Sequence, residues 1–347
     1  MKQNSPEIQA ILDLQRAGKR EEARQQLDQL VQKKPDDAEA VHMLGIMAYQ
    51  ERNYEDAIKH MQRSLEMASK PSFYSNMGNV YADLRQFAKA KDAYQSALRL
   101  DPSLAAVYGN WGNMYRAQNK PEQAIFQYQK GLRIDPNNED IHLHMASLFF
   151  DMKRYPQAIE KYQKVLTINP KRLEALNNLG SIYHQQGDAE NAVKYYEKAL
   201  ELAPDFVAVL FNLANLKRES KDLAGAKAMY QQVIDHHPHM IEAHLQLAQI
   251  FDFEGEHEKA EALYHEILEQ QPREEVHLIL AERAAQKNKM DEALEHFKKA
   301  NEINPYNPDT CYNLGTLLKE QGDADGAAHF LNQAIQMQDY QDQQRRV

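Results

Sequence analysis

The sequence predicts an all-α solenoid made of about ten copies of one helix-turn-helix unit. Three observations carry that prediction. Only 13 Gly and 13 Pro occur in 347 residues, while Ala, Gln, Glu, Leu and Lys are plentiful, a composition that favours helix over turn-rich β architecture. An alanine recurs at Ala23, Ala57, Ala90, Ala124, Ala158, Ala192, Ala226, Ala260, Ala293 and Ala327, at a spacing of 34 residues apart from two steps of 33. A proline closes most units twelve residues after that alanine, at Pro35, Pro102, Pro136, Pro170, Pro204, Pro238, Pro272 and Pro305.

The units start near residues 4, 38, 71, 105, 139, 173, 207, 241, 274 and 308, so a single repeat domain is expected over 4–341, followed by a polar tail at 342–347. In the first unit, Ser5-Pro6-Glu7 has the form of an N-cap followed by Pro at the first helical position, and Ile11 stands where later units carry a small residue. Both features suit an end unit. In units two to ten the residue twelve before the alanine is Gly45, Gly78, Gly112, Ala146, Gly180, Ala214, Ala248, Ala281 or Gly315, small enough to let the paired helix approach closely. Unit six shows the pattern in full. Leu176, Leu179 and Tyr183 recur at helical spacing, GDAE breaks the helix, and Ala192, Tyr196 and Ala199 resume the period. Gly18, Gly187, Gly255 and Gly322 mark the turns, and Asn119 and Asn288, the next residue type to tolerate a left-handed backbone, replace Gly in units four and nine. Unit two ends in MASK without the proline. In unit ten Phe330, Leu331, Ala334 and Ile335 precede only a short polar tail, so the last helix is expected to be partly bare or covered, for instance by a second copy of the chain.

The segments 76–104, 110–138 and 178–206 repeat one another in outline, and this pattern resembles the tetratricopeptide repeat (TPR) family along almost the whole chain. One helix pair cannot bury its own apolar stripe, whereas stacked pairs make a continuous core, so a right-handed superhelix with an inner groove is expected. In the resemblance, the first helix of each unit lines that groove.

One position on the first helix stands out. Asn76, Asn110, Asn178, Asn212 and Asn313 each precede the Leu/Met/Trp–Gly/Ala pair, and Asn79, Asn113 and Asn215 follow three residues later. Asn costs about 0.5–0.7 kcal/mol against Ala inside a helix, so helix stability does not account for it. A primary amide offers donors and an acceptor, and a row of them can hold an extended peptide backbone whatever its side chains. The arrangement resembles the asparagine ladder of O-GlcNAc transferase repeats. The alternative is that these amides bond neighbouring helices or were copied with the repeat. Met43, His144, Gln246 and Ile279 interrupt the row. Arg116 is a further candidate contact, and Phe211, Leu245, Leu278 and Tyr312 suggest a more apolar surface toward the C-terminus. The cochaperone clamp of some relatives needs a basic residue at the positions held here by His42, Ser75, Gly109, Leu143, Asn177, Phe211, Leu245, Leu278 and Tyr312, and none of these is Lys or Arg.

No catalytic constellation, metal site or cofactor is expected. A lone Cys311 supplies neither an intramolecular disulfide nor a thiolate cage, and His236, His237 and His239 straddle a helix end around Pro238 without a fixed partner. There is no Gly-rich phosphate loop, GxSxG or HExxH, and nothing resembles a glycosyltransferase catalytic domain. The net charge of -10 is uneven: residues 1–173 carry 25 Lys/Arg against 21 Asp/Glu, residues 174–347 carry 16 against 30. An acidic half with no basic stripe argues against nucleic acid as a partner. Without a signal-peptide or membrane-spanning run, the expectation is a cytoplasmic chain with no membrane insertion. The sequence therefore points to a non-enzymatic scaffold whose partner is a protein or extended peptide segment, the alternatives being a self-assembling homo-oligomer and a recruitment module for a separate transferase or secretion complex.

Overall fold

Apolar residues at helical spacing, broken by a short polar turn, fold each repeat into two antiparallel helices that press small and large side chains together. The computed structural model describes residues 5–345, with side chains to residue 340. Twenty helices are present among them, grouped in two compact units, Met1–Ile182 and Tyr183–Val347. The first unit contains α1 (Pro6–Arg16), α2 (Arg20–Lys33), α3 (Ala38–Gln50), α4 (Tyr54–Met67), α5 (Pro71–Asp83), α6 (Phe87–Leu100), α7 (Ala105–Ala117), α8 (Pro121–Ile134), α9 (Glu139–Asp151) and α10 (Tyr155–Ile168). The division falls inside α11 (Leu173–Gln185). The second unit continues with α12 (Ala189–Leu202), α13 (Val207–Glu219), α14 (Leu223–His236), α15 (Ile241–Phe253), α16 (His257–Gln270), α17 (Glu274–Gln286), α18 (Met290–Ile303), α19 (Pro308–Glu320) and α20 (Ala324–Arg345). Where one domain over 4–341 is expected, two units are thus described, residue 4 lying outside the described residues.

The helix ends follow local chemistry. Ser5 caps α1 by accepting from the Ile8 amide at 3.3 Å, ahead of Pro6 at the first helical position. Asp37, Asn138, Asp188 and Asn307 cap α3, α9, α12 and α19 in the same way. The turn inside each repeat needs one left-handed residue. Gly187 meets that need at φ 76°, yet Arg52, Arg85, Lys153 and Lys221 adopt it too, at φ between 56° and 65°. Tight pairing of the helices therefore imposes the turn even on residues that pay a Cβ penalty there.

A column of alanines and a column of tyrosines form the core. Ala57, Ala90, Ala124, Ala158, Ala192, Ala226 and Ala260 are fully buried, and so are Tyr94, Tyr128, Tyr162, Tyr196, Tyr230 and Tyr264, one in each of repeats three to eight at 34-residue intervals. Each ring lies against the small residue of its partner helix. A Cβ added at Gly112 would come within 2.4 Å of the Tyr128 ring, and one at Gly78 within 2.5 Å of Tyr94. Ala146, Ala214 and Ala248 hold the same position in the repeats of Tyr162, Tyr230 and Tyr264, and all three are fully buried.

At the C-terminus α20 runs 22 residues, so the expected tail is helical as far as Arg345, and residues 346–347 lie outside the described residues. The stretch QMQDYQDQQR contains neither Gly nor Pro and is rich in tolerant helix formers. Ala334 is buried and Phe330 and Leu331 are half-buried, whereas Ile335 and Tyr340 are 59% and 64% exposed. Among the described residues no helix is long and apolar enough to cross a membrane.

Gly112→Val adds a branched side chain against Tyr128 and should lower stability by about 1–3 kcal/mol through overpacking. Gly112→Ala should cost less. Urea unfolding midpoints of the two variants check the order.

Candidate functional site

The eight asparagines lie on α5, α7, α11, α13 and α19, all half-exposed, and their two positions do different work. Those of the second set accept from the buried tyrosines of their own repeats. Tyr94 Oη donates to Asn79 Oδ1 at 2.8 Å, Tyr128 Oη to Asn113 Oδ1 at 2.6 Å, and Tyr230 Oη to Asn215 Oδ1 at 2.6 Å. Where Asn is absent another polar atom serves: Ser147 Oγ lies 3.1 Å from Tyr162 Oη, and Asp252 Oδ2 accepts from Tyr264 at 2.9 Å. Burial raises the pKa of these phenols, so each remains a donor. A buried hydroxyl without a partner would cost roughly 1–3 kcal/mol, which explains a polar residue at this helix position.

The first set faces different partners. Asn76 Nδ2 lies 2.9 Å from His42 Nε2, His42 Nδ1 is 3.2 Å from Ser64 Oγ, and Ser64 Oγ donates to the Met61 carbonyl at 2.7 Å. Because Ser64 spends its proton on Met61, it accepts from His42 Nδ1, which leaves Nε2 to accept from Asn76. His42 also stacks on Phe73 at 3.9 Å. Asn110 Nδ2 reaches Ser75 Oγ at 3.5 Å, and Asn178 Nδ2 donates to Tyr162 Oη at 2.9 Å while its Oδ1 accepts from Asn177 at 3.3 Å. In the first unit a depression of about 210 Å³ gathers Asn79, Asn110 and Asn113 with Tyr49 and Asp83. Tyr49 donates to Asp83 at 2.6 Å across it.

The remaining candidates separate clearly. Arg116 pairs with Asp151 at 2.6 Å, so its charge is already compensated. Phe211 packs into the core edge-on to Tyr230, with ring centres 5.8 Å apart, whereas Tyr312 is 58% exposed. In the second unit Asn313 lines a depression with Glu282 and Glu320. His236, His237 and His239 are exposed, and among the described residues no three His, Cys, Asp or Glu side chains gather to hold a metal. Glu254 and Glu256 pair with Lys227, and Glu256 also with Lys259. Sequence reasoning missed the tyrosine column, although its 34-residue recurrence is present in the chain.

Models described as tetratricopeptide repeat match residues 8–71, 71–104, 139–205, 171–236, 217–282 and 284–344, and one described as TPR repeat matches 112–153. No curated protein matches the chain. Among solved structures, a tetratricopeptide repeat protein from Parabacteroides merdae superposes with a TM-score of 0.51 at 19% identity, covering 76% of this chain and 98% of that one. The pilF protein of Pseudomonas aeruginosa gives 0.50 at 22% identity, covering 63% and 98%. At these identities the likeness is one of fold.

Two outcomes follow from this geometry. Asn113→Leu strands the Tyr128 hydroxyl and should cost about 1–3 kcal/mol, whereas Tyr128→Phe leaves only the half-exposed Asn113, which water can satisfy, and should cost about 1 kcal/mol or less. Urea unfolding of the pair measures the difference. Burial, then Lys70, holds His42 down to about 4, and burial, then His296, holds His277 down to about 4, against an ordinary 6.5. The unfolded chain takes up these protons near pH 6.5 and the folded chain only near pH 4, so stability is intact above that window and falls as pH drops through it. Unfolding midpoints against pH should show the fall, flattened in part by His42→Leu.

Proposed function

Because the chain belongs to the tetratricopeptide repeat family, we propose that it is a non-enzymatic scaffold that holds an extended segment of another protein on the first helices of its repeats. The observation that carries this reading is the recurrence of a half-exposed amide at one helix position, Asn76, Asn110 and Asn178 in the first unit and Asn212 and Asn313 in the second. Helix propensity disfavours Asn there, and the tyrosine hydroxyls that account for Asn79, Asn113 and Asn215 do not account for Asn76 or Asn110. The internal bonds of the first set set the amides in place on the helices. Asn110 adjoins a polar depression in which peptide N–H and C=O groups find both acceptors and donors. The similarity of this row to the O-GlcNAc transferase ladder belongs to the same proposal, as does service to a separate transferase or secretion complex.

A second reading, self-association through the last repeat, is favoured by the exposure of Ile335 and Tyr340 on α20. Sedimentation over a range of concentration and salt tests it: a strict monomer throughout overturns it, and loss of the dimer in Ile335→Asp supports it.

For the principal reading, a peptide enriched from a random displayed library on the intact chain serves as the probe. Asn76→Ala, Asn110→Ala, Asn178→Ala and Asn212→Ala together should weaken its binding by at least about tenfold, or 1.4 kcal/mol, with helix content retained. N-methylation of the peptide backbone should produce a similar loss. Unchanged affinity in both experiments would remove the amides from the mechanism.

A further inference from the structure

We infer that the first-helix face of the second unit, on α15, α17 and α19, selects an extended Lys- or Arg-rich segment with apolar side chains between its basic ones. This rests on the function proposed above and adds the chemistry of the partner.

Leu245, Leu278 and Tyr312 stand at equivalent positions of three successive first helices, where the first unit has His42, Ser75, Gly109, Leu143 and Asn177. Leu245 and Leu278 are half-buried and Tyr312 is exposed, so these helices present an interrupted apolar line to solvent. Beside it lie two adjoining depressions of about 340 Å³ each, which share Glu282 and Gln286. Ile279 is among the lining residues of one, and Ala285, Phe297, Leu317, Asn313 and Glu320 are among those of the other.

The charge on this face is uncompensated. Among the described residues neither Glu282 nor Glu320 has an ion-pair partner, whereas two cations of α17 are taken, Arg283 by Asp252 at 2.5 Å and Lys287 by Glu261 at 2.7 Å. Lys319 is the single basic residue of α19. A Lys or Arg side chain fits the second depression in both of its parts. Its aliphatic stem covers Ala285 and Leu317, and its cation lies between the two carboxylates while Asn313 offers its amide to the segment's backbone. An acidic segment meets like charge at the same place, in the half of the chain that carries 30 acidic against 16 basic residues. The depression of the first unit holds one carboxylate, Asp83, which accepts from Tyr49 at 2.6 Å, beside the amides of Asn79, Asn110 and Asn113.

Three labelled peptides of equal length test the inference by fluorescence anisotropy: one repeating Lys-Lys-Leu, one with Ser for every Lys, and one with Glu for every Lys. The Lys peptide should bind at least about tenfold tighter than the Ser peptide, and that advantage should vanish near 1 M salt, where the screening length is about 3 Å. Glu282→Lys with Glu320→Lys should abolish it, while Glu258→Lys, an exposed acid on the second helix α16, should leave it intact. Equal binding of the Lys and Ser peptides overturns the inference and leaves the scaffold function standing. Equal loss in Glu258→Lys overturns it as well, because attraction is then a property of the whole acidic half. If no peptide binds, including one enriched from the library, the underlying function fails.

Discussion

Repeats three to eight depend on burying one tyrosine each, where the other repeats place Leu27, Met61, Phe297 and Leu331 at the equivalent position. The ring of Tyr94, Tyr128, Tyr162, Tyr230 or Tyr264 enters where the facing helix has Gly or Ala at the equivalent position, and its hydroxyl finds an acceptor or donor on that helix. One side chain therefore dictates two positions on its partner. Gly78 and Asn79 are the two halves of one solution, as are Gly112 and Asn113. The helix pair is held at a set distance and rotation, and the left-handed turn between its helices follows even when Arg85 or Lys153 must adopt it.

That constraint also sorts the asparagines. A row of eight amides on first helices has the look of one ladder, but three of them answer to tyrosine hydroxyls inside the repeat. The other set, Asn76, Asn110, Asn178, Asn212 and Asn313, is the one on which the proposed binding of a partner's backbone rests. Its members are themselves tethered, Asn76 through His42 and Ser64, Asn178 through Tyr162, so their orientation is set before any partner arrives. Preorganisation of this kind lowers the entropic cost of binding.

Charge divides the chain along the same repeats. In the first unit the lateral contacts of first helices include a hydrogen bond from Tyr49 to Asp83 and an ion pair of Arg116 with Asp151. In the second, Asp252 and Glu261 absorb Arg283 and Lys287, and Glu282 and Glu320 are left over beside apolar ground. Like repeats thus carry unlike surfaces, since core positions are constrained by packing and the exposed positions of the first helix are not.

Read by itself, the sequence determined the number of repeats, about where each begins, the turns marked by Gly or Asn, the small residues of the first helices and the N-cap at Ser5. All of these are local: a 34-residue period, a propensity or a cap is expressed within one or two neighbouring segments. It also singled out the asparagine positions as unexplained by helix propensity. Only the tertiary structure decided which amide bonds a buried tyrosine, that Arg116 is paired with Asp151, that Phe211 turns into the core while Tyr312 faces solvent, and that α20 extends to Arg345. Those outcomes depend on how far apart two helices settle and which atoms then come within hydrogen-bond reach, and a repeat period carries no information about distances across the pair.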